Sequence, residues 1–507
     1  MLLPESPFPN RALAALDSLA TGLLAPSFWA INRLLDLQPT TARGGGGCRG
    51  CAGRALAAPA LATLLLLSLP LATLGLLLWL PVQAARRPFV YQHAAGTAPA
   101  QPWDLRQRRT FTFLTANLCL LPSGLAKFSN LGDTPRRATA IACRLAPGSP
   151  GPRGHRDALV APRHGHGHNG YGGTLCAPPP SPGSLRVEVA QPVPVVAQPV
   201  PVVAEAVPVP LAERLPADAD FLCLQEVFDA GAAAILRRQL AGTFPHLLFG
   251  VGGLGLRGGR LKLLDSGLLL ASRYPLLAAR YHGFPNGARE DALAAKGLLA
   301  VQVLLGSTRG QRVVGYLGCT HLQAPAGDAP IRQAQLGLAL RWLQLFREEQ
   351  EQDGDVVAFD VFCGDLNFDN CSPGDELNQR HHLFEVYQDP CRRGPGQEQP
   401  WAIGTLLNYL KIYEEPVSTP EGMRRTLSQP GGRQQYLAGP ILANGQPAPV
   451  APGPWHGRRV DYLLFRQHRG APPLRTEVAG VSFITQLATY SDHLPVALRL
   501  DVAPVSP

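Results

Sequence analysis

Residues 356–370 read VVAFDVFCGDLNFDN, an apolar run broken only by Asp360 that leads into Gly364-Asp365-Leu366-Asn367. A buried strand of this kind delivers an acid and an amide at its carboxyl end, and strand alternation puts Asp365 and Asn367 on one face. A carboxylate and a carboxamide turned into one pocket can hold a water, a phosphate oxygen or a metal. The same pair also serves as ordinary turn chemistry. The ending is repeated elsewhere, which favours the first reading. Residues 110–120 (TFTFLTANLCL) carry Asn117 near their end, 220–227 (DFLCLQEV) end in Gln225-Glu226, and 313–322 (VVGYLGCTHL) present Thr320 and His321. Residues 458–465 (RRVDYLLF) set Asp461 among alternating apolar residues, and SDHLPV places Asp492 and His493 immediately before the last strand.

Hydrolysing a phosphodiester calls for a metal to neutralise the phosphate, a base to take a proton from water, and donors for the charge that builds on the equatorial oxygens. These residue types suffice. Glu226, exposed at the end of an apolar strand, suits a hard cation such as magnesium, which prefers one or two carboxylates and several waters. His493, oriented by Asp461, suits the general base. Asp365 could align the water, while Asn117, Asn367 and His321 bind phosphate oxygens. Asp291 and Lys296, five apart in a loop, can pair with each other or offer the lysine to a phosphate; spacing alone favours a plain surface pair.

Positioning six polar strand ends together requires strands interleaved with helices, so the pattern predicts a layered α/β fold whose loops share a face. Helices are expected at 134–145, with Pro135 in the first turn, at 229–242 and at 329–350. The last shows Ile331, Ala334, Leu338, Trp342 and Leu345 on one stripe, read as its core face. Further strands are expected at 266–272 and 296–305. The Gly-rich run 250–260 lacks the ending of a phosphate loop and reads as a flexible surface loop. Residues 146–212 interrupt the domain with Pro, Gly and Ser and repeat AQPVPVV at 190–196 and 197–203. Alternating Pro and Val favours an extended polyproline conformation, disordered and without a core.

The chain has 507 residues, enough for two or three average domains or one large domain with appendages. A formal charge of +9 with only 16% charged residues is a modest excess that favours an anionic partner. The ten cysteines follow no paired spacing, which points to a reduced, cytosol-facing protein. Cys119, Cys223, Cys319 and Cys363 lie in apolar runs and read as small buried hydrophobes. Between Arg54 and Arg86 there is no charged residue, and 61–80 alone is long enough to cross a bilayer. An earlier segment, 13–35, is apolar but contains Asp17, Pro26, Asn32 and Arg33. Basic residues flank both segments, which favours a re-entrant or hairpin insertion, helped by Pro26, Pro59 and Pro70, over two full crossings. Cys48 and Cys51, beside the apolar segment and without a second pair for zinc, fit S-acylation.

The set TANLCLLP, LCLQEVF, CTHLQAP, FCGDLNFDN, RRVDYLLF and SDHLPV resembles the DNase I-like endonuclease/exonuclease/phosphatase superfamily. With DALAAKG, PWAIGTLL, SFITQL and the apolar N-terminus ahead of ARRPFVY, the chain is most similar to the neutral sphingomyelinases, in particular their membrane-anchored and mitochondria-associated members. The resemblance implies a four-layer α/β sandwich over 109–502, joined by a linker at 91–108 to a membrane-associating region at 1–90. It implies hydrolysis of sphingomyelin in a membrane to ceramide and phosphocholine with Mg2+, Mn2+ being able to substitute. Glu226 becomes the Mg2+ ligand, with Asn117 close by and Asp492 contributing, and His493 the base. Asp291 and Lys296 become a switch in which the lysine turns toward the substrate phosphate. Anionic phospholipids are implied as activators, with Arg86 and Arg87 as contacts. Mitochondrial or endoplasmic reticulum membrane is the implied location. A nuclease or inositol-phosphate phosphatase on the same scaffold is the competing reading. The membrane anchor and the scarcity of Arg-aromatic clusters near the motifs argue against a nucleic-acid partner, and a catalytically inactive scaffold fails to explain why every motif position holds a competent residue.

Overall fold

Alternation of apolar side chains on two sets of strands builds the molecule's centre. In a computed structural model describing residues 3–42, 48–94, 102–146, 209–308, 310–449, 455–467 and 474–504, these strands form two large sheets. Across the eight-stranded sheet the order is Val90–His93, His246–Phe249, Leu269–Ser272, Phe221–Gln225, Arg109–Asn117, Val496–Pro504, Leu474–Ile484 and Leu211–Ala212. The five-stranded sheet runs Asp461–Arg466, Val356–Asp365, Gln311–His321, Gly297–Thr308 and Leu276–Gly283.

One parity of each strand faces the other sheet. Phe111, Phe113, Phe221, Cys223 and Leu270 meet Val301, Leu317, Cys319, Phe359, Val361 and Cys363 in a single buried cluster. The other parity faces outward, to be covered by helices. Leu114, Leu222 and Leu269 pack with Ile141 of the Thr134–Leu145 helix and Leu236 of the Ala230–Leu240 helix. Leu298, Tyr316 and Phe362 pack with Leu336 and Phe346 of the Ala329–Gln350 helix. Helix, sheet, sheet, helix is the four-layer sandwich that the resemblance implied.

The helix 329–350 is in place, but its inward stripe is rotated by one residue from the expected one. Arg332, Gln335, Leu336, Ala339, Leu343 and Phe346 are buried, whereas Leu345 is 43% exposed. The pattern was hidden because a charged residue occupies the core stripe. The fully buried Arg332 guanidinium donates to Asp375 at 2.9 Å and to the Pro325 carbonyl at 2.8 Å. Arg458 joins the same network through Asp369 at 2.7 Å and Asp375 at 3.0 Å, fixing the chain three residues ahead of Asp461.

Three other expectations shift. Strand alternation ends at Asp365: Asn367 has φ +55 and its backbone N–H turns back to Asp365 Oδ1 at 2.9 Å, so the two side chains are not on one strand face. Within the Gly-rich run, Gly255–Arg257 pairs with Arg260–Lys262 as a hairpin, where a loose loop was expected. Residues 266–268 precede the strand that begins at Leu269. The Pro/Val repeats of the insertion lie outside the described residues.

The two apolar segments form helices Arg11–Asp36 and Cys48–Ala84, packed antiparallel, with Gln83 against Asp17 and Ser68 Oγ 2.7 Å from Ser27 Oγ. The second runs without a break through Pro59, Pro70 and Pro81, so the prolines do not fold it back as expected. Each proline removes one donor from a helix that keeps the rest. The first segment is tied to the large domain at both ends. Tyr91 N–H, in the edge strand of the eight-stranded sheet, donates to the Pro4 carbonyl at 2.7 Å, Gly124 N–H to Asn32 Oδ1 at 2.7 Å, and Lys127 pairs with Asp36 at 3.5 Å. A helix of 26 residues, about 39 Å long at ~1.5 Å per residue, therefore lies along the domain rather than standing away from it.

Candidate functional site

The parity that fills the inter-sheet core also assembles the polar cluster. Phe113, Thr115 and Asn117 share a face, as do Cys319 and His321, Cys363 and Asp365, and Asp461, Leu463 and Phe465. Where the apolar residues stop, the same face continues into the gap as Asn117, His321, Asp365 and Asp461. Register makes His321, Asp365 and Asp461 successive partners across three adjacent strands. Gly364 permits this packing, since a Cβ there would lie 1.9 Å from the Thr320 carbonyl oxygen and its φ is +141.

Asn117 ties the sheets together. Its amide donates to Asp365 Oδ2 at 2.9 Å and to Glu226 Oε1 at 2.9 Å. Glu226 follows its strand with φ +58, a left-handed conformation that costs about 1–3 kcal/mol for a residue with a Cβ. Leu118 and Leu120 N–H hold that turn through the Gln225 and Glu226 carbonyls at 3.1 and 2.9 Å. The strain turns the carboxylate back toward the gap, where its side chain keeps 19% exposure and so marks the solvent-facing side of the cluster.

His493 Nδ1 lies 2.8 Å from Asp461 Oδ2, with both residues buried. Its Nε2 is 4.0 Å from Asp365 Oδ2. His321 Nε2 lies 3.5 Å from Asp365 Oδ2 and 3.9 Å from Glu226 Oε1. Lys296 brings a cation to the rim: its ammonium is 3.1 Å from His321 Nε2 and 2.8 Å from Asp291 Oδ1, and donates to the Leu322 carbonyl at 3.0 Å. Asp291 and Lys296 are 8% and 6% exposed, so they form a buried pair in place of the surface pair that spacing favoured.

These contacts set the electrostatics. Burial, then the charge of Asp492, pushes Glu226 up to about 7. Burial, then Asp461, pushes Asp365 up to about 6. Burial works against a charged His493, but the carboxylates of Asp461, Asp365 and Asp492 hold it well above an ordinary histidine. Burial and the neighbouring Lys296 and His493 keep His321 neutral, well below the usual value. With Lys296 donating to Nε2, the proton of neutral His321 sits on Nδ1.

Glu226, His321 and Asp365 offer ligand atoms close enough together to hold a metal ion. The donor set supports a hard cation: the carboxylate oxygens of Glu226 and Asp365 dominate, and His321 Nε2 is already engaged by Lys296. The Oδ1 atoms of Asp461 and Asp492 are buried with no hydrogen-bond partner, an excess of buried negative charge that a cation would relieve.

Asn367 is placed differently from the others. Its amide donates to the Leu322 carbonyl at 3.1 Å and the residue stays half-buried at the edge. Asp492 reaches Glu226 through its charge rather than a hydrogen bond. Two supporting residues escaped the sequence reading. Thr405 Oγ1 accepts from the Val460 and Asp461 N–H groups at 3.0 and 3.1 Å, and Ser491 Oγ donates to the Asn117 carbonyl at 2.7 Å while accepting from His493 N–H at 3.1 Å. Ser491 was within reach because it opens SDHLPV; Thr405, inside PWAIGTLL, acts through backbone groups distant in sequence.

Comparison with known proteins matches the same two parts. The Endonuclease/Exonuclease/phosphatase family covers residues 200–493, and the Neutral sphingomyelinase N-terminal transmembrane region covers 12–85. Mouse (Mus musculus) sphingomyelin phosphodiesterase 5 is 43% identical over 508 aligned residues, 99% of this chain and 94% of that protein. Human (Homo sapiens) sphingomyelin phosphodiesterase 3 is 35% identical, covering 99% of each. A solved beta toxin of Staphylococcus aureus with bound magnesium ions aligns at 16% identity and TM-score 0.38, over 77% of this chain and 99% of that chain. The chain belongs to the endonuclease/exonuclease/phosphatase family and, within it, to the neutral sphingomyelinases. It is a hydrolase of the phosphodiesterase type with a membrane-associated N-terminal region.

Proposed function

We propose that the protein hydrolyses sphingomyelin to ceramide and phosphocholine at a membrane surface, with Mg2+ as cofactor and Mn2+ able to replace it. What carries this reading is the convergence of Glu226, Asn117 and Asp365 with the His493–Asp461 pair at one end of the inter-sheet gap. Mg2+, held by Glu226 with Asn117 beside it and Asp492 contributing, would supply the charge that neutralises the phosphate diester. With Nδ1–H bonded to Asp461, His493 in its neutral form, which a cation bound beside these carboxylates would favour, presents Nε2 to a water that Asp365 aligns. That nitrogen takes the water's proton as the water oxygen bonds to phosphorus; the ceramide oxygen leaves and is protonated from bulk water, to which His493 then returns its proton. Lys296, released from Asp291, turns toward the substrate phosphate; once it leaves His321 Nε2 the ring proton can sit there, so that His321 and Asn367 donate to the equatorial oxygens, joined by Asn117 when it exchanges a carboxylate partner for the phosphate.

The first helix supports surface action, because its carboxyl end binds Gly124 in the short helix Ser123–Ala126 that follows Asn117, and its Phe28 and Trp29 stay half exposed. In this arrangement the catalytic domain faces the cytosol, Arg86 and Arg87 meet anionic phospholipids, and acyl chains on Cys48 and Cys51 add anchoring. The side chains of Cys48 and Cys51 lie outside the described residues. Mitochondrial or endoplasmic reticulum membrane is the proposed location. The test offers purified full-length protein sphingomyelin in vesicles with and without anionic lipid, a phosphoinositide, and duplex DNA, each with Mg2+. Release of phosphocholine, stimulated by the anionic vesicles, is expected. Faster turnover of the phosphoinositide or the DNA would overturn the assignment.

A further inference from the structure

Directly beneath the polar layer lies a second cluster with different chemistry. Cys223, Cys319 and Cys363 each sit two residues before a member of the layer above: Gln225, His321 and Asp365. Cys319 and Cys363 are register partners on neighbouring strands, and Cys223 reaches them across the gap from the other sheet. The three sulfurs lie within 4.8 Å of one another, and the residues are 2%, 0% and 1% exposed. Gln225 Nε2, 3.5 Å from Cys319 Sγ, is the polar contact to the cluster. Among the described residues no histidine, carboxylate or fourth cysteine joins the group.

We propose that these thiols form a site for a soft, thiophilic ion, Cu(I). Thiolates select soft metals, and three sulfurs without a fourth ligand suit a cation that accepts trigonal coordination better than zinc, which completes a tetrahedron. Metal–thiolate bonds of about 2.3 Å would set the sulfurs about 4.0 Å apart in a plane, so a contraction of less than about 1 Å from the observed separations closes the site. Each Cu–S bond forms as its thiol proton passes to the buffer, and no electron is transferred. The strands that contract carry His321 and Asp365 two residues further on, so occupancy distorts the layer that holds the phosphate. Because the sulfurs are enclosed, the ion enters during folding.

The test uses the full chain with Cys48→Ser and Cys51→Ser, produced in copper-supplemented cells and purified anaerobically. Metal analysis and X-ray absorption should find one copper per chain with three sulfur neighbours. Cys319→Ala and, as a second variant, Cys223→Ala should each lose it while keeping a single cooperative unfolding transition, and Cys371→Ser should retain it. Mg2+-supported turnover should fall in proportion to occupancy. A copper-free parent, copper undiminished in both alanine variants, or full turnover at full occupancy would overturn the proposal.

Discussion

Asp461→Asn tests the geometry most directly, because it deletes a charge and little else. The substituted side chain keeps its shape, and the backbone there is held independently by Thr405 Oγ1 at 3.0 and 3.1 Å. An asparagine oxygen can still accept from His493 Nδ1, so the ring stays oriented and only stabilisation of the developing imidazolium is lost. With the hydrogen bond at 2.8 Å, the charge centres are roughly 4 Å apart, and an effective dielectric constant of about 20 gives about 4 kcal/mol for such a pair. Asp365 and Asp492 continue to favour the cation, so this is a ceiling. A loss of about 3–4 kcal/mol corresponds to kcat falling by ~10^2 to ~10^3. Phosphocholine release from sphingomyelin in detergent micelles, with saturating Mg2+, should show that fall with KM nearly unchanged. Thermal stability should hold, because the substitution also removes a buried acid that repels Asp365. Combining it with His493→Ala should cost no more than His493→Ala alone, since the two act as one unit. A fall in kcat below tenfold, or one expressed in KM, would refute the role given to the pair.

Glu226→Gln keeps the side chain's size at a strained backbone position but removes its negative charge, so the Mg2+ concentration for half-maximal activity should rise by at least about tenfold; an unaltered titration would remove Glu226 from the metal site. Arg332→Met should cost about 3–5 kcal/mol in urea unfolding, because it breaks a fully buried ion pair and leaves Asp375 undercompensated; a loss under 1 kcal/mol would show that Arg458 suffices. Asp220, away from the site and pushed by burial up to about 6 from 3.8, holds its proton longer when folded than when unfolded. Stability should therefore fall as pH rises from about 4 to about 6, by about 3 kcal/mol at ~1.36 kcal/mol per pKa unit. Asp220→Asn, which still accepts the Thr112 N–H, should flatten that fall in unfolding measured across the pH range.

What could be read from the residues depended on periodicity. The strand ends at Asn117, His321, Asp365 and Asp461 were legible because the alternation that buries Phe113, Cys319, Cys363 and Leu463 also dictates where the next polar side chain points. The helix 329–350 was legible in extent but not in orientation. Its core stripe contains Arg332 and Gln335, and a hydrophobic pattern cannot reveal a face completed by buried ions. The mutual arrangement of the N-terminal helices was equally hidden, since two apolar segments pack together whether they cross a bilayer or lie along a domain.

The residues at which alternation gives no guidance are the ones with a left-handed backbone. Glu226 and Asn367, at φ +58 and +55, each follow a strand end, and in each case the turn decides which way the side chain faces. Alternation from Gln225, which faces the inter-sheet gap and bonds Thr115, would aim Glu226 toward the outer helices. The turn sends it instead to the Asn117 amide, 2.9 Å away. A cluster built from regular strands alone would supply Asn117, His321, Asp365 and Asp461 but would lack this partly exposed carboxylate. Strain at Glu226 is thus the step that converts a polar end of a sandwich into a place where an ion can be held next to both sheets.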